Sequence, residues 1–418
     1  MLKHIITIIK NERKQNIGLW IELLIVSVFL WFIVDNVYVT LNNFNKPLGF
    51  DTEHTYIMHL GYLNENSPRY VKDISTEEGV NSMLTVLERI KQNPMIEAAS
   101  ISQNSSPHIG SNSSLNIFRD TLQTRQYNLV RMVTPDFFKV FKYESVNGSS
   151  DELVQALERG EFVIPIDVAQ ELFKENESPI GKQISFSKEE DAGKFTVGAV
   201  SKTVRYDNFS NWNNYVAYTL DNQMIENFSN QWVVFLEFCV RVKPEEDYDF
   251  VNRFRKDMTQ QLQVGNFYLK DMKYIPDNKI AHQKDNVNEM KMKIYVVLFL
   301  LVNIFLGVTG IFWFRTQHRR SEIGLRIALG DTAKQVLNKY FAEGLLLLSA
   351  TIIPAMIAIY VMYRNELLIT NLMKFTVSRF FIGFAITYTL LAAMIVLGIL
   401  IPARKAVKVP PAEALRDE

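Results

Sequence analysis

Long apolar runs occur near the start and in the last third of the chain, whereas the stretch between them mixes apolar and polar residues. A helix needs about 20 mainly apolar residues to cross the hydrocarbon core of a bilayer. Four segments reach that length, at residues 18–39, 294–314, 340–363 and 380–401. The pattern therefore predicts four transmembrane helices, with residues 40–293 folded as one large domain outside the bilayer.

Positive charges flank the predicted spans unevenly. Short loops rich in Lys and Arg favour the cytoplasmic side of a membrane. Such residues are frequent before the first span, in the loop 315–339 and in the tail 402–418, and they are sparser in the loop 364–379. We therefore expect both chain termini to be cytoplasmic and the large domain to be extracytoplasmic.

Two acidic residues interrupt the first predicted span. Glu22 and Asp35 lie near its two ends. A carboxylate at such a position can reach the membrane interface at modest cost. We interpret both residues as interfacial, and the alternative is a role in proton relay.

Residues 1–17 place apolar side chains at helical spacing ahead of the first span. Leu2, Ile5, Ile6 and Ile9 fall at i, i+3, i+4 and i+7, and the polar residues Lys3, His4, Thr7 and Lys10 lie elsewhere around the helix. This spacing predicts an amphipathic helix on the inner leaflet, and a frayed tail is the alternative. The apolar run that follows is too long for a signal-peptide core and has no small-residue cleavage site, so we expect no cleavage.

The large domain contains two predicted strand–helix–strand units. The predicted elements are strand 55–62, helix 77–92 and strand 96–103 in the first unit, and strand 233–242, helix 245–262 and strand 267–275 in the second. Short apolar runs and helical periodicity support these assignments. Two such units suggest an α+β subdomain with a helix-backed sheet. The intervening residues, at about 136–212, are predicted to form an inserted, mostly β subdomain.

Composition and motifs exclude several classes of function. The chain has 45 Lys and Arg against 45 Asp and Glu, so it carries no basic excess that would indicate nucleic acid binding. Its single cysteine, Cys239, excludes an intrachain disulfide and a cysteine metal cluster, and we interpret it as a small buried residue of a strand. The sequence lacks a GxxxxGK[ST] phosphate loop, an HExxH zinc motif and a GxSxG elbow. We therefore expect no enzymatic activity, no metal and no directly bound cofactor.

The loop after the second predicted span carries the most informative motif, residues 319–330 (RRSEIGLRIALG). It predicts a short helix that begins near Glu322, where a negative charge is favourable, with Glu322 and Arg326 paired at i, i+4. Gly330 can end this helix in a left-handed conformation, and Asp331 can cap the next one. The loop is therefore a short helix rigidly joined to the third span.

The apolar side of this short helix leaves its role open. Ile323 and Ile327 make one apolar face, with Leu325 as a third candidate. Physical reasoning alone allows two roles, a helix that lies on lipid and a helix that docks on a cytoplasmic partner.

Several segments together resemble one family of membrane proteins. Residues 322–330 (EIGLRIALG) resemble the signature loop of the MacB/FtsX-like ABC permease family, and residues 401–416 (IPARKAVKVPPAEALR) resemble its C-terminal ending. Landmarks similar to the MacB-type periplasmic core domain are residues 133–141 (VTPDFFKVF), 162–173 (FVIPIDVAQELF), 179–182 (PIGK) and 195–200 (FTVGAV). The resemblance covers nearly the whole chain. It implies a membrane α-helical protein with a Porter-like α+β subdomain and an inserted Sabre-like subdomain.

The resemblance also implies a function. The chain would be the permease subunit of an ABC transporter in the bacterial inner membrane, in which a separate ATPase binds ATP and Mg²⁺. ATP hydrolysis would move the periplasmic domain and so extrude substrate, a mode called mechanotransmission. The loop after the second span would be the coupling helix that docks on the ATPase. The residues carried over to that role are Glu322, Ile323, Gly324, Leu325, Arg326, Ala328 and Gly330.

The expected partners follow from the same resemblance. They are the ABC ATPase, a second identical or related permease chain, membrane lipids and, for efflux, a periplasmic adaptor and an outer-membrane channel. Two alternatives remain open. One is a lipoprotein-releasing permease, which shares the four-span plan. The other is an FtsX-like regulator of a periplasmic hydrolase, although such relatives have a smaller outer domain.

Overall fold

The computed structural model describes residues 13–189, 193–408 and 410. The predicted amphipathic helix of residues 1–17 therefore lies largely outside the described residues, as does the end of the tail. The described chain forms two compact units. One unit combines the residues up to Phe44 with those from Asn286 onward, and the other comprises Asn45–Asp285.

Helices dominate both ends of the chain, and strands dominate its middle. In chain order the helices are α1 (Arg13–Phe44), α2 (Thr76–Lys91), α3 (Phe137–Val140), α4 (Asp151–Glu158), α5 (Ile166–Leu172), α6 (Asn222–Glu226), α7 (Phe250–Met258), α8 (Ile275–His318), α9 (Arg320–Ala328), α10 (Ala333–Ser349), α11 (Ile352–Arg364) and α12 (Val377–Ala406). The strands are β1 (Thr55–Tyr62), β2 (Ile96–Gln103), β3 (Ser114–Leu115), β4 (Phe118–Arg119), β5 (Leu122–Gln123), β6 (Asn128–Val133), β7 (Phe162–Pro165), β8 (Gln183–Ser185), β9 (Lys194–Ser201), β10 (Tyr215–Thr219), β11 (Leu236–Val242) and β12 (Phe267–Tyr274).

The first half of the large domain is a helix-backed antiparallel sheet. Its strands lie in the order β12–β1–β11–β2. The two predicted strand–helix–strand units therefore interleave: β11 lies between the strands β1 and β2 of the first unit, and β1 lies between the strands β11 and β12 of the second. This is the β-α-β-β-α-β arrangement of ferredoxin-like folds. Apolar side chains of α2 and α7, such as Met83 and Phe254, pack with Met58 and Phe238 in one core. The predicted α+β subdomain is present.

The helix of the second unit is shorter than its sequence pattern predicts. The pattern predicts a helix over 245–262, but a 3-10 turn occupies Pro244–Glu246 and the helix begins only at Phe250. Asp249, immediately before it, adopts a left-handed conformation with φ of 48°, which interrupts helical geometry. Likewise, Gln231–Phe235 form a 3-10 helix capped by Asn230, so the predicted strand starts only at Leu236.

The second half of the large domain continues the same sheet. Beyond β2 the order is β6–β10–β7–β9–β8–β4–β5, with parallel pairs β6–β10 and β7–β9 and with β3 paired to β6. Residues 136–212, predicted to be mostly β, contain the short helices α3, α4 and α5 besides β7, β8 and β9. The inserted part is therefore itself α+β. Backbone hydrogen bonds between β2 and β6 join this half of the sheet to the first half.

Four helical segments are long and apolar enough to span a membrane. They are Asn16–Phe44, Ile275–His318, Ala333–Arg364 and Val377–Ala406, with mean hydropathy between 2.3 and 2.5. The third segment is a pair of helices, α10 and α11, that meet at Ala350 and Thr351. Pro354 lies in the first turn of α11, where it can donate no hydrogen bond back to the preceding turn, which accounts for the break.

Candidate docking helix and buried ionic clusters

The short helix α9 is anchored by one face. Ile323 and Gly324 are buried, and Ile323 packs in the apolar core of the helical unit with Val336 and Tyr340. Ile327, one turn further along, packs against the same core. The two isoleucines therefore form the apolar face that their spacing predicts, and this face holds α9 against α10.

The opposite face of α9 is apolar too, and it is exposed. Leu325 is 49% exposed and Leu329, just beyond the helix, is 81% exposed. Ala328 and Gly330 are also exposed. Leu325, the third candidate for the face of Ile323 and Ile327, lies outside that face, because two 100° steps of a helix carry it to the other side from Ile323. Leu329 was not among the predicted docking residues, although its i, i+4 relation to Leu325 could have identified it.

Glu322 joins α9 to the next helix. Its Oε1 accepts hydrogen bonds from Arg326 Nε at 2.9 Å and from Lys339 Nζ at 3.2 Å. The predicted i, i+4 pair is thereby confirmed, and the link to Lys339 on α10 is an addition that sequence spacing did not show. Burial opposes ionisation of Glu322, but the two cations outweigh it and lower its pKa.

The turn between α9 and α10 depends on a left-handed glycine. Gly330 has φ of 105°, and its N–H donates to Ile327 O at 3.1 Å, while the N–H of Asp331 donates to Arg326 O at 3.0 Å. This is the C-terminal glycine that the sequence predicts. The assignment of Asp331 as the cap of the next helix was wrong. Thr332 caps α10 in a capping box with Gln335, because it stands three residues before a glutamine that can reach back.

A buried acidic residue neutralises the basic end of α8. Arg315 Nη1 lies 2.6 Å from Glu343 Oε1, and both side chains are almost wholly buried. Arg319 Nη1 reaches the other oxygen, Glu343 Oε2, at 3.3 Å, and Arg315 Nη2 donates to Asn16 Oδ1 on α1. This cluster ties α1, α8 and α10 together beside α9. Sequence reasoning missed Glu343, although a carboxylate inside an apolar span is itself a signal of a buried partner.

A second ion pair closes the other end of the helical unit. Arg379 Nε and Nη2 lie 2.8 and 2.5 Å from the two oxygens of Asp35, and both side chains are fully buried. Arg379 Nη1 also donates to the backbone oxygens of Ile369 and Met373. Asp35, which we interpreted as interfacial, is buried within the helical unit, and Arg379 on α12 compensates its charge. Glu22 is half-buried, with its carboxylate against Gly307 of α8.

The large domain contains Cys239 where its sequence placed it. The thiol is fully buried on β11, and burial raises its pKa well above its usual value. Within residues 13–189, 193–408 and 410, no three His, Cys, Asp or Glu side chains converge as a metal site.

Two family models match the chain, and together they cover most of it. The MacB-like periplasmic core domain matches residues 35–253, more than half of the chain. The FtsX-like permease C-terminal domain matches residues 294–411. A comparison with curated proteins finds no match.

Two solved structures resemble part of the chain. The periplasmic region of MacB from Actinobacillus actinomycetemcomitans is 10% identical, with a TM-score of 0.31, and the similarity covers 53% of this chain and 90% of that one. The second structure is a domain from Porphyromonas gingivalis of a protein described as a permease. It is 14% identical, with a TM-score of 0.32, and the similarity covers 55% of this chain and 93% of that one.

The family models agree with the architecture. Four apolar helices accompany a large α+β domain, and the periplasmic core model, at residues 35–253, overlaps most of that domain, Asn45–Asp285. The protein is therefore an integral membrane protein with a large extracytoplasmic domain. Since one family model covers more than half of the chain and a second covers its permease C-terminal part, the chain belongs to the MacB/FtsX-like family of ABC-transporter permeases.

Proposed function

We propose that this permease couples ATP hydrolysis on a separate ATPase chain to movement of its extracytoplasmic domain, and that this movement extrudes substrate. The observation that supports the proposal is the two-sided character of α9. One face is buried through Ile323 and Gly324, and the other presents Leu325 and Leu329 outward. Exposed leucines on a short, anchored helix are suited to contact a protein partner, since apolar contact supplies most of the affinity of such interfaces.

The anchoring of α9 gives a route for force. A partner that pushes on Leu325 or Leu329 moves the buried face and the Glu322–Lys339 contact with it. Both of these lead directly into α10, the first part of the third span. The Glu343 cluster beside them holds α1 and α8 to the same helix. Helix α8 has 44 residues and contributes to both compact units, so it is the element we propose as the lever.

The proposal includes a sidedness and a set of partners. Both termini and α9 lie in the cytoplasm, because the basic loops favour that side. The docking residues are Glu322, Ile323, Gly324, Leu325, Arg326, Ala328 and Gly330, with Leu329 added, and Ile323 and Gly324 act by anchoring the helix rather than by touching the ATPase. ATP and Mg²⁺ bind to the ATPase. The permease works as a homodimer or a heterodimer, and a periplasmic adaptor and an outer-membrane channel complete an efflux assembly.

Two other outcomes of the same coupling are lipoprotein release and FtsX-like control of a periplasmic hydrolase. The match of residues 35–253 to a MacB-like core domain favours extrusion over hydrolase control, because the outer domain of FtsX-like regulators is smaller. Identification of proteins that copurify with the complex separates these outcomes. An adaptor and channel support efflux, bound lipoprotein supports release, and a periplasmic hydrolase supports regulation.

Site-specific photocrosslinking in intact membranes tests the docking proposal. A photoreactive amino acid at Leu329 should crosslink to a protein whose peptides include a phosphate loop of the ABC type. The matched control is Ile353, an apolar residue that is 70% exposed on α11 and far along the chain from α9. Equal crosslinking of the ATPase from both positions, or none from Leu329, would contradict the proposal.

A further inference from the structure

An apolar groove of about 380 Å³ opens where α11 ends and α12 begins. Its walls include Met356, Tyr360 and Tyr363 of α11, Phe375 of the connecting segment, and Phe380 and Phe381 of α12. All of these residues belong to the helical unit, so the groove is complete within one compact body. Its volume lies within the range of about 300–1,000 Å³ that is typical of small-molecule sites.

Aromatic contacts hold the walls of the groove in place. The rings of Tyr363 and Phe375 stack with their centroids 4.5 Å apart, and Phe375 also lies 6.4 Å from Trp31 of α1, which is fully buried. The guanidinium group of Arg379, which Asp35 holds, lies 5.6 Å from the centroid of the Phe375 ring. Because several neighbours fix Phe375, the groove exists before any ligand enters it.

The apolar surface of the groove continues along α11. Ile353, Ile357 and Tyr360 stand at i, i+4 and i+7, which places them on one side of the helix, and they are 70, 59 and 59% exposed. Helix α11 has no charged residue before its last one, Arg364. It belongs to a segment that is long and apolar enough to span a membrane, so this exposed side lies at the level of the lipid hydrocarbon.

Two cations stand at the rim of the groove. Arg364 directly follows Tyr363, and Lys374 directly precedes Phe375, so the stacked rings bring the backbone of both basic residues to the same edge. Both residues are exposed, and neither forms an ion pair with another residue of the described chain. The same connection has one acidic residue, Glu366, so two positive charges face one negative charge. The groove therefore combines an apolar wall with a positively charged rim.

An apolar groove with a cationic rim is the complement of an amphiphile that has a hydrocarbon tail and an anionic head. We propose that the groove binds an anionic phospholipid, with one acyl chain between Tyr360 and Phe381 and with the headgroup phosphate on Arg364 and Lys374. A guanidinium group pairs with phosphate through two parallel hydrogen bonds, and an ammonium group attracts it as a point charge. A zwitterionic phospholipid brings its own cation to the same rim, so the anionic lipid binds more tightly.

Lipid is the occupant that the surroundings of the groove supply. The groove opens on the exposed apolar side of a membrane-spanning segment, where acyl chains take the place of water. Arg364 is the last residue of α11, and Lys374 lies three residues before α12 begins. Basic residues at the ends of spans reach the depth of the headgroups, which is where the phosphate of a bound lipid lies.

Photolabelling of the full-length permease in nanodiscs tests this inference. Two probes with the same diazirine-bearing acyl chain, a phosphatidylglycerol and a phosphatidylcholine, are added in trace amounts to discs of unlabelled phosphatidylcholine. We expect the phosphatidylglycerol probe to label peptides that contain residues 356–363 and 375–381 at least about fivefold more than the phosphatidylcholine probe does. Peptides around Phe299, which is 68% exposed on α8, should be labelled equally by both probes.

The two probes and a soluble competitor separate a lipid site from a site for free phosphate. An excess of glycerol phosphate should leave the labelling unchanged, because it has no acyl chain to fill the apolar groove. Equal labelling of residues 356–381 by the two probes would overturn the inference. Loss of the labelling in glycerol phosphate would overturn it too, since the phosphate alone would then be the ligand.

Removal of the rim charges locates the headgroup. The double variant Arg364→Gln with Lys374→Gln should lower the preference for the phosphatidylglycerol probe to about one. The matched control is Lys256→Gln with Lys270→Gln, which removes two exposed lysines of the large domain and should keep the preference of the parent. A folded double variant at the rim that keeps the full preference contradicts the proposal, and melting temperatures in the discs show whether each variant is folded.

A photoreactive amino acid at Phe381 identifies any other occupant of the groove. Lipid adducts are the expected products. Permease–permease adducts as the main product would show that a second copy covers the groove, and adducts with a different protein would show another partner, and either result would refute lipid as the occupant. None of these measurements depends on ATP hydrolysis, so their outcome is independent of the coupling proposed for α9.

Discussion

Arg379 and Asp35 form a bidentate ion pair across 344 positions of the chain, with both side chains excluded from solvent. The pair joins the beginning of α12 to α1, and two backbone carbonyls complete the coordination of the guanidinium. A buried pair of this kind depends on both members, since each one compensates the desolvation of the other.

Removing one member of this pair should destabilise the helical unit strongly. Asp35→Asn leaves the Arg379 guanidinium buried and uncompensated, at a cost of roughly 3–5 kcal/mol. The expected result is a large drop in the melting temperature of the full chain in detergent and a lower yield from membranes. Glu289→Gln is the control, because Glu289 is exposed and its i, i+4 pair with Lys293 should contribute less than about 1 kcal/mol. Similar melting temperatures for both variants would refute a stabilising role for the pair.

The Glu343 cluster should behave in the same way at the other end of the unit. Glu343→Gln leaves the Arg315 and Arg319 guanidinium groups without their shared carboxylate, so we expect a loss of roughly 3 kcal/mol or more. Because the cluster lies beside α9, the variant should also increase hydrogen exchange in residues 320–328. Unaltered exchange there, with a clear loss of stability elsewhere, would show that the cluster does not support α9.

The turn at Gly330 should be indispensable for coupling. Gly330→Pro removes the hydrogen bond to Ile327 and cannot adopt a φ of 105°, while Gly330→Ala is only strained. We expect the proline variant to insert in the membrane yet lose the ATP-dependent change in protease sensitivity of the outer domain. The alanine variant should lose part of it. Retention of the full ATP response by the proline variant would count against α9 as the coupling element.

Reversal of one charge on α9 tests the same coupling through a different contact. Arg326→Glu places a second carboxylate beside Glu322, where the parent has a 2.9 Å ion pair. We expect α9 to loosen from α10 and ATP hydrolysis to continue without transport. The double variant Arg326→Glu with Glu322→Arg restores opposite charges and should recover part of the coupling. Failure of the single variant to change the ratio of transport to ATP hydrolysis would argue against this role.

The carboxyl of Glu237 predicts a specific pH dependence. Burial raises its pKa above 4.5 despite the hydrogen bonds that favour the carboxylate. The Glu237 carboxyl therefore stays protonated to a higher pH in the folded protein than in the unfolded chain. Its contribution to the free energy of unfolding is largest at low pH and falls as the pH rises through the folded-state pKa. Relative to the parent, Glu237→Gln should become more stable as the pH increases from 4 to 7. Denaturant unfolding at several pH values measures the difference, and a difference that stays constant would contradict the raised pKa.

Local sequence patterns were enough to predict the position of those helices and strands whose apolar residues recur periodically. Strand β1 and strand β2 have the bounds that their short apolar runs predict, and α2 begins at the capping box of Ser75 and Glu78. The docking helix was also visible, because the Glu322–Arg326 spacing and Gly330 act within one or two turns. The sequence left the face of Leu325 open, since three apolar residues within five positions do not define one side of a short helix.

Contacts between distant parts of the chain could not be read from such patterns. Nothing in the composition of β1 shows that it lies between β12 and β11, because any apolar strand satisfies the same backbone hydrogen bonds. The partner of Asp35 and the two arginines that donate to Glu343 were hidden for the same reason. A charge in an apolar span signals that a partner exists, but only the packed helices determine which one.

The sequence by itself determined the four apolar spans, the α+β character of the large domain and the short helix with its glycine stop, because hydrophobic periodicity and backbone preference act locally. The tertiary structure decided which side of α9 is exposed, which charges are paired within the helical unit, and that Tyr363 and Phe375 form the wall of one groove. These relationships join residues from separate elements, and their energies exist only once burial removes water from between them.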